Sequence, residues 1–236
     1  MQLTVRDVVR ILGVPEKDVT RWIRQGVLPA YRVQDRYCFN RAEIFEWAIS
    51  RRMPVSEDLF SGDGEDATPL PSLAEALQSG GFSREVGGGD RESVLRAVVS
   101  SLRLPVGVDQ EFLFRVLLAR EALGSTAVGD GVAIPHVRSP VVLHIARPAV
   151  HLSYLARPID FGAPDGRPVH ILFLALSPTV RVHLHVLARL AFALRDPRFK
   201  GVLIRKGTDE EILREARRLD ASMPRPAGTA SGEKPG

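Results

Sequence analysis

His136 follows Pro135 in the stretch REALGSTAVGDGVAIPHVR, residues 120–138, downstream of Gly124, Gly129 and Gly131 and of the pair Ser125-Thr126. A neutral imidazole is a good nucleophile near pH 7. Arg120, the hydroxyls of Ser125 and Thr126 and the amides of the Gly129–Gly131 turn are donors able to meet negative charge that develops on a transferred group. Glycine lets backbone amides approach such a group closely, and Pro135 restricts the chain just before the imidazole. A histidine after a proline is by itself an ordinary loop residue; its combination with the arginine, the hydroxyls and the glycines is what points to chemistry.

A scaffold must hold these groups, and 236 residues suffice for one large domain or for a large domain with a small companion. Hydrophobic residues at 44% and charged residues at 25% are ordinary globular usage, against wholesale disorder or a fibrous repeat. The longest apolar stretch, VHILFLALSP at 169–178, is about half the length a bilayer requires, and MQLTVRDVVR carries charge where a signal peptide is apolar. A cytoplasmic protein without membrane insertion is expected. The single cysteine, Cys38, excludes an internal disulfide framework and a multi-cysteine zinc site. Net charge is +4, and all of it can be assigned to residues 1–53, where ten basic residues face six acidic ones. That distribution, more than its sum, bears on nucleic acid.

The pattern divides the chain into a small domain at 1–53, an acidic Gly/Ser/Pro-containing linker at 54–68, a larger domain at 69–222 and a disordered tail at 223–236. In the first domain, TVRDVVRILGV predicts a helix capped by Thr4 and stopped by Gly13. PEKDVTRWIRQG predicts a second, with Val19, Trp22 and Ile23 on one face, and AYRVQDRYCFN alternates like a hairpin. RAEIFEWAISRR closes the domain as a third helix with Ile44, Phe45 and Trp47 inward. In the larger domain helices are expected at 91–102, 109–121, 180–195 and 208–219, and strands at 131–135, 147–156, 168–176 and 200–204. The glycine-rich 79–90 reads as a loop. The mixture predicts an α/β domain, a mixed sheet flanked by helices.

The order helix, turn, helix, hairpin, helix in LTVRDVVRILGVPEKDVTRWIRQGVLPAYRVQDRYCFNRAEIFEWA resembles the excisionase-like, MerR-related winged helix-turn-helix. That resemblance implies DNA as a partner, with Lys17, Thr20, Arg21 and Arg24 on a helix entering the major groove and Arg32 and Arg36 of the wing reaching phosphates or the minor groove. One such module is a small anchor, so a homodimer is the expected binding unit. Glu16 and Asp18 depart from the basic face; they favour the helix dipole.

Arg120-Glu121, Ser125-Thr126, Gly129, Gly131, Ala133, Pro135 and His136, continued by IDFGAPDGRPVHILFLALSP and HLHVLARLAFAL, resemble the fructose/mannitol-type IIA domain of the bacterial phosphotransferase system, the group that includes the nitrogen-related IIA proteins. The resemblance implies that His136 accepts a phosphoryl group from the phosphocarrier HPr or a relative. It also implies that His183 assists at the site, since His183 shares a helix face with Leu187 and Leu190 and His185 does not. Arg120, Ser125 and Thr126 are then the donors around the phosphoryl oxygens. Transfer between histidines requires no metal, nucleotide or other cofactor, and no HxxxH or HExxH spacing argues for a metal. Val137 stands where the family has glycine, which puts the shape of the turn in question. Both resemblances together imply a phosphohistidine carrier, rather than a turnover enzyme, coupled to DNA binding and transcription. The alternative is a IIA component passing phosphate to a permease IIB domain, its N-terminal module serving as a docking element.

Overall fold

A computed structural model describes residues 2–33, 36–51, 53, 70–104, 107–137 and 145–222. The expected linker at 54–68 and tail at 223–236 lie outside the described residues, as do Arg138 and His144.

The first domain begins with a two-residue strand, β1 (Gln2–Leu3), that the sequence reading did not anticipate. Thr4 caps α1 (Val5–Leu12) in a reciprocal box: the Asp7 amide donates to the Thr4 hydroxyl while the Asp7 carboxylate accepts from the Thr4 amide. Gly13, at φ 62°, ends the helix in the left-handed region. Pro15 precedes α2 (Glu16–Arg24), and β2 (Tyr31–Val33) pairs antiparallel with β3 (Arg36–Asn40), whose other edge takes β1. The Asn40 side chain accepts from the Ala42 and Glu43 amides and so starts α3 (Arg41–Ser50). Val8, Ile11, Leu12, Val19, Phe39, Ile44 and Phe45 form the centre, with the Trp22 and Trp47 rings 5.0 Å apart beside it.

The second domain runs α4 (Leu73–Gly80), β4 (Phe82–Val86), α5 (Arg91–Ser101), α6 (Gln110–Ala122), β5 (Ala127–Gly129), β6 (Val132–Ala133), β7 (Ala149–Ile159), β8 (Val169–Leu176), α7 (Val180–Ala193), α8 (Pro197–Ile204) and α9 (Asp209–Ser222). Its sheet has the order β4-β7-β8-β6-β5; β4 is parallel to β7 and β6 to β8, the other pairs being antiparallel. Two expectations are corrected here. Residues 200–204 are the second half of a helix, because Asp196 caps it, Pro197 occupies its first turn, and Phe199, Val202 and Leu203 recur at helical spacing. Part of 79–90 is not loop but β4, an edge strand whose Phe82 and Ser83 register with Leu152 and Ser153.

Alternation along the strands separates two cores. Ile171, Phe173 and Ala175 face the layer of α4, α7, α8 and α9, whereas Leu172, Leu174 and Leu176 face α5 and α6. The core on the α7 side continues without a break into the first domain, whose α3 lies against α7 and β5. No helix among the described residues is long and apolar enough to cross a membrane.

Candidate functional site

His136 continues the line of β6 beside β8: it bridges to Ala175, whose amide donates to the Pro135 carbonyl at 3.0 Å. Period two then decides which way each side chain points. Val132, Ile134 and His136 face the α7 side, and Ala133 and Val137 face the α5/α6 core. Val137 is fully buried there and is absent from the residues with positive φ, so its branched side chain meets no left-handed strain. The structure therefore gives the valine a packing role in the α5/α6 core.

The imidazole is oriented by its own strand. Nδ1–H donates to the Ile134 carbonyl at 2.8 Å, which leaves Nε2 as the atom presented to the cleft. Thr179 caps α7 immediately after β8, so the first turn of α7 carries His183 to His136, with ring centroids 5.2 Å apart and planes at 45°. No hydrogen bond reaches either nitrogen of His183. Burial pushes its pKa down to about 3, helped by the neighbouring His136 and only partly opposed by Glu46, so the ring is neutral at ordinary pH. His185 points away, its Nε2–H donating to the Pro71 carbonyl at 2.9 Å.

Arg120, in the last turn of α6, donates from one terminal nitrogen to the Gly124 carbonyl at 2.9 Å and from the other to the Glu46 carboxylate at 2.6 Å. Glu46 comes from α3 of the first domain, and its second oxygen lies 3.0 Å from His136 Nε2. The geometry is not that of an aligned hydrogen bond, since neither atom has a hydrogen-bond partner, and the contact is an ion pair only when the imidazole is protonated. Burial alone would raise the Glu46 pKa; His136 and Arg120 override it and hold the carboxyl down at about 2. The reading of the sequence named no role for Glu46. Its signal was available: in EIFEWAIS the helix is buried on almost every side, as Ile44, Phe45, Trp47, Ala48 and Ile49 show, which demands a partner for the face that carries the glutamate.

The other predicted donors sit close by with their hydrogens committed elsewhere. The Thr126 hydroxyl donates to the buried Glu121 carboxylate at 2.7 Å, and that carboxylate also accepts the Thr126 amide. The Ser125 hydroxyl donates to the Phe161 carbonyl and accepts from the Ala127 amide. These two residues shape the wall of the cleft that holds His136, but they offer it no free hydroxyl hydrogen as they stand. The turn amides at Gly129–Gly131 are a correction: the turn joins β5 to β6 outside that cleft, and the Asp130 amide donates to Asp165 at 2.7 Å. Glu46, His136 and His183 offer ligand atoms within 4.8 Å of one another. The Arg120 guanidinium on the same carboxylate opposes a further cation there.

On the first domain, Lys17, Arg21 and Arg24 are exposed along one side of α2 with Thr20 among them, and Arg32 and Arg36 are exposed on the two strands of the hairpin. Asp18 is ion-paired with Arg21 at 2.9 Å, which removes part of its repulsion toward an anionic partner. Of the remaining histidines, His151 donates to the Gly80 carbonyl from Nδ1 at 2.7 Å, and burial lowers its pKa. His170 packs against Gly131, and burial lowers its pKa as well.

Residues 77–216 match the family model for the phosphoenolpyruvate-dependent sugar phosphotransferase system, EIIA 2, and residues 3–52 match a helix-turn-helix domain model. The nitrogen regulatory protein of Bradyrhizobium diazoefficiens is 42% identical over 108 residues, spanning 45% of this chain and 69% of that protein. That of Pseudomonas aeruginosa is 36% identical over 126 residues, spanning 52% and 79% respectively. Among solved structures, the nitrogen regulatory protein IIA-Ntr from Neisseria meningitidis superimposes with a TM-score of 0.54 at 27% identity, covering 61% of this chain and 98% of that one. With the EIIA 2 model spanning more than half of its length, and the His136 strand, the Arg120 helix and the His183 helix converging inside that span, the chain belongs to the EIIA 2 family of the phosphotransferase system and carries a helix-turn-helix domain ahead of it.

Proposed function

We propose that this protein is a IIA-type phosphoryl carrier, phosphorylated at His136 Nε2 by an HPr-like phosphocarrier, that couples its phosphorylation state to DNA binding by the helix-turn-helix domain. The observation that carries the reading is the fixed tautomer of His136. With Nδ1–H held by the Ile134 carbonyl, the lone pair of Nε2 is directed toward the cleft lined by Arg120, beside the ring of His183. In the transfer, the P–N bond of the donor phosphohistidine breaks and its electron pair stays on the donor ring. A P–N bond forms at His136 Nε2, so no metal, nucleotide or water is consumed. The Arg120 guanidinium would meet the charge on the phosphoryl oxygens. His183, neutral and adjacent, can donate one N–H to the same oxygens without adding repulsion toward Arg120.

Two relatives named as nitrogen regulatory proteins support a regulatory over a purely metabolic use. The exposed basic side of α2 supports DNA as the target. Incubation with enzyme I, HPr and phosphoenolpyruvate, followed by intact mass under alkaline conditions, should add one phosphoryl group to the wild type and none to His136→Ala. With an active donor, absence of the phosphoryl group from every form of the protein that keeps His136 would overturn the carrier reading. Onward transfer to a IIB domain, with DNA affinity indifferent to phosphorylation, would replace the regulator with a transport component.

A further inference from the structure

Glu46 and His136 belong to different domains, yet Glu46 already holds the atoms that a phosphoryl group would use. One of its carboxylate oxygens stands 3.0 Å from Nε2, in the volume where the phosphoryl oxygens must go, and the other takes the Arg120 guanidinium at 2.6 Å. Two anions cannot share that nitrogen and that arginine at such range, because one excludes the other by volume and like charge repels like in a partly buried cleft.

Access gives a second, independent observation. His136 is only 5% exposed, and its Nε2 exposes less than 1 Å². Phosphoryl transfer requires the donor nitrogen, phosphorus and acceptor nitrogen roughly in line. A protein donor therefore cannot reach Nε2 while α3 covers it. The seat is more than one ion pair: Trp47 and Ile49 of α3 line the same cleft as Ile134 and Leu187, so burial holds the helix together with charge.

Resting on the phosphoacceptor reading above, we infer that Glu46 is a built-in occupant of the phosphoryl site, so that seating of α3 on the IIA domain and phosphorylation of His136 exclude each other. The carboxylate stands in for the phosphoryl group in the unphosphorylated protein. Phosphate on His136 evicts it and frees the helix-turn-helix domain from the IIA surface. Linkage makes the effect reciprocal at equilibrium: whatever lifts α3 favours phosphorylation, and phosphorylation lifts α3; uncovering Nε2 is what also makes transfer faster.

Trp47 reports the seat directly. Trp22 and Trp47 are the two tryptophans of the chain, so Trp22→Phe leaves Trp47 as the only emitter, and acrylamide quenching then measures its exposure. In that background, phosphorylation should raise Trp47 quenching, and the same donor mixture should leave a His136→Ala protein unchanged. Glu46→Ala should raise quenching without any phosphate and accept phosphate about tenfold faster than its parent, a factor typical of coupling between two sites. Glu46→Gln keeps the shape and removes the charge, so it should fall between the two, and circular dichroism on both variants checks that the first domain stays folded. Full phosphorylation of the parent protein with Trp47 quenching unchanged, or wild-type phosphorylation rates in both Glu46 variants, would overturn the inference while leaving the carrier reading intact. Phosphate on the Glu46 variants but not on their parent would support it in its strongest form. No phosphate on any of them would remove the carrier reading and this one together.

Discussion

His183 is the most deeply buried ionisable group beside His136, and its cost is set by pH. The unfolded imidazole takes a proton below about 6.5, whereas the folded one, pushed down chiefly by burial, refuses it until about 3. The unfolded chain therefore binds more protons across that window, and stability, complete above pH 6.5, falls as pH falls through it. Each pH unit crossed removes about 1.4 kcal/mol per such group. Urea unfolding from pH 7 to pH 4 should show this loss, and His183→Gln should flatten the curve; an unchanged curve would mean the ring is not held neutral. His185, with burial again the main cause and its pKa near 4, adds loss of the same sign and sets the remaining slope. At this scale the sequence was most informative where a residue acts with its near neighbours. His136, Arg120 and His183 converge as the family resemblance implied. The hydroxyls of Ser125 and Thr126 were read as donors to a phosphoryl group, because nothing in the spacing reveals that Phe161 and Glu121 hold their hydrogens.

At the scale of the element, the β5–β6 turn is built on backbone that only some residues tolerate. Gly131 sits at φ 74°, and a Cβ there would come within 2.3 Å of the His170 ring. Gly131→Ala should therefore destabilise the domain by about 1–3 kcal/mol in a urea melt, through strain together with the clash. A shift within error would show that the turn can relax. Helices with apolar periodicity were legible, the one capped by Thr4 among them: α5, α6 and α7 begin within a few residues of the expected positions. Segments whose state depends on distant partners were not. β4 reads as loop because it is flanked by glycines, and it becomes a strand only by pairing with β7, some seventy residues downstream. KGVLI reads as a strand by propensity and is helical because Asp196 and Pro197 start a helix just before it.

At the scale of the molecule, two domains of different families share one continuous apolar core. If α2 docks on DNA through Lys17, Arg21 and Arg24, each replacement by alanine should lower the salt dependence of binding to duplex DNA by about one unit of slope. Fluorescence anisotropy over a salt series measures it, and slopes equal to wild type would move the contact elsewhere. The division into a helix-turn-helix and a IIA domain was legible because each carries its own motif. Their apposition was not, since Glu46 and Arg120 are 74 residues apart and meet only when two independently patterned units come together.

The IIA domain is also fastened at its own ends. The Asp220 carboxylate, near the end of α9, accepts the amides of Leu73 and Ala74 that open α4, at 2.9 and 3.0 Å, and pairs with Arg189 at 3.3 Å. Entry and exit of the polypeptide thus meet at one carboxylate. A unit closed in this way can be spliced behind, ahead of or within another gene product without stretching its sheet, which makes it portable cargo for gene fusion.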